Sequence, residues 1–90
     1  MLTIRRLIWD PWNVAHIARH HVIPEEVEEV CHGQPVTSQT YKGRLRVVGP
    51  THRNRMLTVI PAPTDDAGGY YPVTARPVDR KERRNYEQQQ

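Results

Sequence analysis

Phenylalanine is absent from the 90 residues, only two tryptophans and four tyrosines are present, and no uninterrupted apolar run approaches a membrane span. With 37% hydrophobic residues, Val, Ile and Leu must supply most of the interior. That predicts one domain over residues 1–90 with a thin core and room for a single site. The one cysteine excludes an intramolecular disulfide. Arg5 and Arg6 break the N-terminal apolar stretch before it can serve as a signal peptide, so the expectation is a cytoplasmic protein with no membrane partner. A Gly-rich phosphate loop, a Ser or Cys nucleophile signature and a pair of catalytic carboxylates are also missing, which leaves hydrolases of those kinds without support.

What is present is charge, unevenly placed. The net charge of +3 and pI of about 9.4 favour anionic partners. Glu25, Glu26, Glu28 and Glu29 form an acidic block that reads as a solvated helix face. Arg76, Arg80, Lys81, Arg83 and Arg84 form a basic one, diluted by Asp79 and Glu82.

Local signals order the chain. Thr3 to Trp9 reads as a strand, and Asp10-Pro11 supplies a capping carboxylate before a first-turn proline. Val14, Ile17, Ala18 and His21 then recur at helical spacing, predicting a helix over about 11–21 with that face inward. Pro24 opens a second helix, with Val27, Val30 and Cys31 inward, acids near its start and Gly33 past its end. From Val36 the pattern changes to period two: a strand, a Lys42-Gly43 turn, a second strand and a third over 55–63. Residues 70–76 read as a further strand weakened by Pro72. Asp79 and Glu82 have the form of a capping box for a closing helix, with a frayed tail after about residue 87. The fold class expected is α+β: a small antiparallel sheet of three to five strands, with two N-terminal helices and one C-terminal helix on one of its faces.

The closing helix has almost nothing to bury except the ring of Tyr86, so packing alone does not account for it. Its cations, with Arg76 at the strand end, suit phosphate, and Tyr86 could stack on a base or move a proton. A solvated helix paired with the acidic one explains the same charges. His16 and His20, four apart, share a helix face and offer general acid–base chemistry near neutral pH, or half a zinc site that lacks a defined third ligand. Neither a metal nor another cofactor is expected. Cys31 reads as a small buried apolar residue.

Taken together, "LIWDPWNVAHIARHHVIPEEVEEV", "GRLRVVG" and "VTARPVDRKERRNYE" resemble the BrnT family of type II toxins, small ribonucleases with a RelE-like fold. Family members typically read W-D, N-x-x-K-H-G-V, E-E-A, R-x-x-x-x-G, S-A-R and E-R-x-x-Y. Trp9 and Asp10 match the first motif, His20 and Val22 the second, Glu25 and Glu26 the third, and Arg44 and Gly49 the fourth. Thr74, Ala75 and Arg76 stand in place of S-A-R, and Glu82, Arg83 and Tyr86 match the last motif. The chain departs from the pattern at His16, where Asn is usual, at Arg19 in place of Lys, and at His21 in place of a Gly that would close a helix in the left-handed conformation. The first-turn Lys common in the family is missing, with Trp12 or Asn13 near its place.

The resemblance implies metal-independent RNA cleavage by attack of a ribose 2′-hydroxyl on the adjacent phosphate, and a cognate antitoxin protein that covers the active surface. It points to Arg76 and Arg80 for phosphate, His20 or Tyr86 for protons and Glu82 to orient an arginine, with Arg44, Lys81, Arg83 and Arg84 as further RNA contacts. The expectation is that these guanidinium groups meet around one anion pocket beside the first helix. A noncatalytic RelE-like module binding RNA or an antitoxin-like protein is the alternative, and a homodimer stays open.

Overall fold

The computed structural model describes residues 3–40 and 42–89. The element order is β1 (Arg6–Leu7), α1 (Pro11–Ala18), α2 (Pro24–Cys31), β2 (Val36–Gln39), β3 (Leu45–Pro50), β4 (Met56–Pro63), β5 (Gly69–Pro77) and α3 (Arg80–Gln88). The strands form one five-stranded sheet in the order β1-β5-β4-β3-β2. The α+β class with two N-terminal helices and one C-terminal helix is therefore the observed one.

Two features of the sheet differ from the expectation. First, it is mixed: β1 pairs with β5 in parallel, Arg6 opposite Gly69 and Leu7 opposite Tyr70. Because α1 and α2 carry the chain from β1 to the opposite edge, β1 is not hairpin-linked to its neighbour, and the antiparallel constraint holds only from β2 to β5. Second, the helices lie on both faces. Val47, Val59 and Ala75 stand in register across β3, β4 and β5. They join Ile17, Val22, Val27 and Val30 in the main core beneath α1 and α2. The alternate row, Val48, Thr58 and Arg76, points the other way, and there Glu82 of α3 bonds to Thr58 and Arg76. A helix without an apolar stripe cannot compete for the apolar face; α3 docks instead on the polar row.

The inward face of α1 also differs. Asn13 and Ile17 are buried, whereas Val14 is 37% exposed. Asn13 is tolerated inside because its polar atoms are used: Asp10 N–H donates to its Oδ1, and its Nδ2 donates to the Ile8 carbonyl. The Asp10 side chain accepts from Asn13 N–H in return, which completes the cap that Asp10-Pro11 signalled. Burial and the Asn13 and Tyr71 hydrogen bonds act oppositely on the Asp10 carboxyl, and the bonds, led by Asn13 N–H, hold it below its ordinary value.

The helix ends at Ala18 and the chain reverses through His21, whose φ is 60°. His21 N–H donates to Ala18 O at 3.0 Å and Val22 N–H to Ile17 O at 3.2 Å, the paired closure that usually employs glycine. Arg55 secures this corner: its Nη1 donates to His21 O at 2.7 Å and to Glu26 Oε1 at 2.9 Å. One cation thereby ties the end of α1 to the first turn of α2, where a positive charge also complements the helix dipole of α1. On the far side, a Cβ at Gly49 would lie 3.1 Å from Pro35 Cα, so that position needs glycine for close approach of the α2–β2 connection. Pro72 sits within β5 because its cross-strand partner is Pro61, at the irregularity between Ile60 and Pro61 where ladder bonding is already interrupted.

Candidate nucleic-acid interface

The interface begins with the way α3 starts. Asp79 caps it, its side chain accepting from Glu82 N–H at 2.7 Å while Glu82 Oε1 accepts from Asp79 N–H at 2.9 Å. That reciprocal box aims Glu82 at the sheet, where it is only 5% exposed. Thr58 Oγ1 donates to its Oε1 at 2.9 Å. Arg76 grips both oxygens, Nη1 to Oε1 at 2.8 Å and Nη2 to Oε2 at 2.7 Å. Arg46 Nη1 stands 3.9 Å from Oε2. Burial pushes the Glu82 carboxyl up, but the bonds from Arg76, Asp79 N–H and Thr58 outweigh it and hold the group below its ordinary value. The same hydrogen bond raises Arg76 above the usual arginine value. Glu82 is therefore a fixed negative charge, and its role is to hold cations in place.

Between α3 and the β2–β3 edge lies a cleft of about 260 Å³, lined among others by Ser38, Arg46, Glu82, Asn85 and Tyr86. Arg46 rests on Ser38, its Nε donating to Oγ at 3.2 Å. The cleft thus presents a guanidinium, a phenol, a hydroxyl and an amide around a buried carboxylate. On the outer side of α3, Arg80, Lys81, Arg83 and Arg84 are exposed, and no ion pair engages any of them among the described residues. The acidic helix does not neutralise them. Glu26 pairs with Arg55, Glu28 with His32 and Trp9, and Glu29 with His52, all in the layer across the sheet. The reading in which α3 pairs with the Glu-rich helix is overturned by that separation.

The residues singled out in the sequence divide into three groups. Glu82 and Tyr86 come together in the cleft, with Arg80, Lys81, Arg83 and Arg84 on the same helix. Arg76 reaches the group but is turned inward onto Glu82, so the expected anion pocket shared by Arg76 and the α3 cations beside α1 does not form. The physical cause is the capping box, which places a carboxylate where Arg76 would otherwise project. His20 is elsewhere: its ring meets His16 edge-on at 6.1 Å, and its carbonyl accepts from Arg55 Nη2, in the layer on the opposite sheet face. Arg44 precedes β3 and lines an open pocket with Thr40, Ile60 and Thr74, beyond the cleft.

Arg46, Ser38 and Asn85 were not singled out in the sequence. Arg46 was legible, since it lies two residues after Arg44 on a period-two strand and so shares its face. Ser38 follows only from the register, which sets it opposite Arg46. Asn85 is exposed, and its place in the cleft lining follows only once Glu82, three residues earlier, is fixed as the buried residue of α3.

No group of three or more His, Cys, Asp or Glu side chains among the described residues could hold a metal ion. No helix there is long and apolar enough to cross a membrane. No protein-family model matches the chain, nor does any curated protein.

Proposed function

We propose that this chain is a BrnT-like endoribonuclease toxin that cleaves RNA without a metal, using the cleft between α3 and β3. The observation that supports this reading is the set of exposed cations without ion pairs on the outer side of α3, the helix whose other side forms, with Arg46, the cleft that holds Tyr86. Transesterification needs a group that moves the 2′-hydroxyl or leaving-group proton and cations for the charge gathering on phosphorus. Tyr86 takes the first role and Arg46 the second. Arg80, Lys81, Arg83 and Arg84 hold the flanking phosphates. Arg76 acts through Glu82 as a positioning residue. The reading carries with it a cognate antitoxin that covers the cleft and a cytoplasmic place of action, where RNA and antitoxin meet.

The test is cleavage of RNA by purified protein in chelator. Tyr86→Phe should lower the rate by about 10²-fold or more and Arg46→Ala by a similar factor. Full activity in an Arg76→Ala, Tyr86→Ala double variant would contradict the assignment.

A second reading has its own observation. Arg76 is committed to Glu82, and His20 lies across the sheet, which leaves Tyr86 as the cleft's one side chain suited to proton transfer among the described residues. A non-cleaving RNA-binding module fits that arrangement. It is distinguished by salt-sensitive RNA binding with no product in chelator or in added divalent metal, and by the absence of growth arrest on expression.

A further inference from the structure

We infer that the open edge of β2 is a docking site for an acidic, extended segment of another protein, which joins the sheet as a further strand along the mouth of the α3 cleft. β2 is the last strand of the sheet. Its pairing with β3 places Ser38 opposite Arg46 and Val36 opposite Val48, and Thr40 N–H bonds to Arg44 O. By antiparallel alternation, residues 36, 38 and 40 turn their backbone groups toward β3. Thr37 and Gln39 turn theirs outward.

Apart from its four-residue length, this edge carries none of the usual protections against strand addition. Thr37, Ser38 and Gln39 are exposed, no charged residue or proline stands in the strand, and its register with β3 is unbroken. The opposite edge, β1, is only two residues long. Val36, Thr37 and Ser38 also line the cleft, so a chain paired with β2 lies at its mouth, every second side chain facing the layer of Arg46 and α3.

Charge selects the occupant. A second copy of this chain, paired through β2 about a two-fold axis, would bring two α3 helices with their unpaired cations toward one another, and like charges oppose that. RNA offers phosphate acceptors to the outward N–H groups, but its donors, the 2′-hydroxyls and base amino groups, do not alternate with those phosphates at the spacing of a strand edge. A peptide strand offers both, and carboxylates on it meet Arg46 and the α3 cations. The inference extends the proposed function by naming how a regulator covers the cleft. It rests on that reading only for the consequence that docking blocks RNA.

The probe is a short synthetic peptide alternating Glu and Val, titrated into the whole protein with amide hydrogen exchange as readout. Slower exchange at Thr37 and Gln39 is expected, with binding that weakens as salt rises. Gln39→Pro removes one outward N–H and should weaken binding by about tenfold. Gln39→Glu, which keeps the backbone intact, should weaken it through repulsion. A Lys/Val peptide should bind less well. Unchanged exchange at these amides, equal binding of the Lys/Val peptide, protection of β2 by self-association or protection by an RNA oligomer would each overturn the inference. Binding is read directly, so a protein that takes the peptide but cuts no RNA would remove the nuclease reading alone. One that cuts RNA and ignores the peptide would remove this inference alone.

Discussion

Arg76 holds Glu82 by both of its terminal nitrogens, at 2.8 and 2.7 Å, across the corner where β5 gives way to α3. The pair fastens the closing helix, which has almost no apolar surface of its own, to the sheet. It also commits to a buried carboxylate the arginine that the sequence most strongly suggests for phosphate.

Removing one member leaves the other badly placed. Arg76→Ala strands a buried carboxylate and should destabilise the fold by about 2–3 kcal/mol, below the full cost for a buried pair because the Arg76 side chain is partly exposed. Arg76→Lys should restore little, since an ammonium cannot make the two-pronged contact. Urea unfolding of the two variants checks this; equal stability of wild type and Arg76→Ala would show that α3 is not fastened here.

The same pair sets an acid limit. Glu82 is held below its ordinary carboxyl value of 4.5, so between the folded and unfolded values the unfolded chain binds more protons. Stability therefore rises with pH through that window, is fully present above about 4.5, and is lost as pH falls through the folded value. Arg76, raised by the same contact, stays charged throughout and adds no slope. Glu82→Gln should flatten this part of the stability profile measured between pH 3 and 6 by denaturant unfolding (about the span of a carboxyl titration). An unchanged slope in that variant would assign the acid sensitivity to other carboxylates.

His21 occupies the left-handed region at φ 60°, where a side chain costs about 1 kcal/mol relative to glycine. His21→Gly should raise stability by up to about 1 kcal/mol, and His21→Val should lower it. Both bonds that depend on this residue's backbone, to Ala18 O and from Arg55, survive the change to glycine. A drop in thermal midpoint for His21→Gly would mean that the imidazole ring contributes more than the strain it imposes.

Much of this was legible because local chemistry and the fold agree. Asp10 before Pro11 caps α1 as expected, Asp79 with Glu82 forms the capping box their spacing implies, and Val27, Val30 and Cys31 face the core as their spacing requires. What escaped was non-local. Whether α3 lies on the same sheet face as α1 depends on which row of alternating strand residues is polar. Val47 and Val48 are both apolar, so β3 alone does not decide it; Thr58 and Arg76, on other strands, do. Val14 was expected inward and Asn13 was not, because burial of a polar residue becomes legible only when its partners, Ile8 O and Asp10 N–H, are known. Arg76 misled for the reverse reason: its charge was visible in the sequence, but Glu82, read as a helix cap and as a residue that orients an arginine, holds Arg76 itself and turns it inward.

Cys31 illustrates an expectation about chemistry rather than topology. Burial, with Glu28 adding to it, pushes its thiol up to about 12, so the thiolate is scarce at neutral pH. The native protein should react with a disulfide reagent only as fast as it opens, and fully in denaturant. Rapid native labelling would show that α2 opens locally far more readily than its packing suggests.

The sharpest division between structural and functional cations lies in salt dependence. Each phosphate contact on a single strand contributes about 0.7 to the slope of log affinity against log salt. Arg83 and Arg84 are exposed and unpaired, so an Arg83→Gln, Arg84→Gln double variant should reduce the RNA-binding slope by about 1.4. Arg76 already spends its charge on Glu82, so Arg76→Gln should leave the slope unchanged once the folded fraction is accounted for. Fluorescence titration of a short unstructured RNA across a salt series measures all three proteins. If Arg76→Gln lowers the slope while the double variant does not, RNA has displaced Glu82 from Arg76, and the phosphate site lies at the end of β5 rather than along α3.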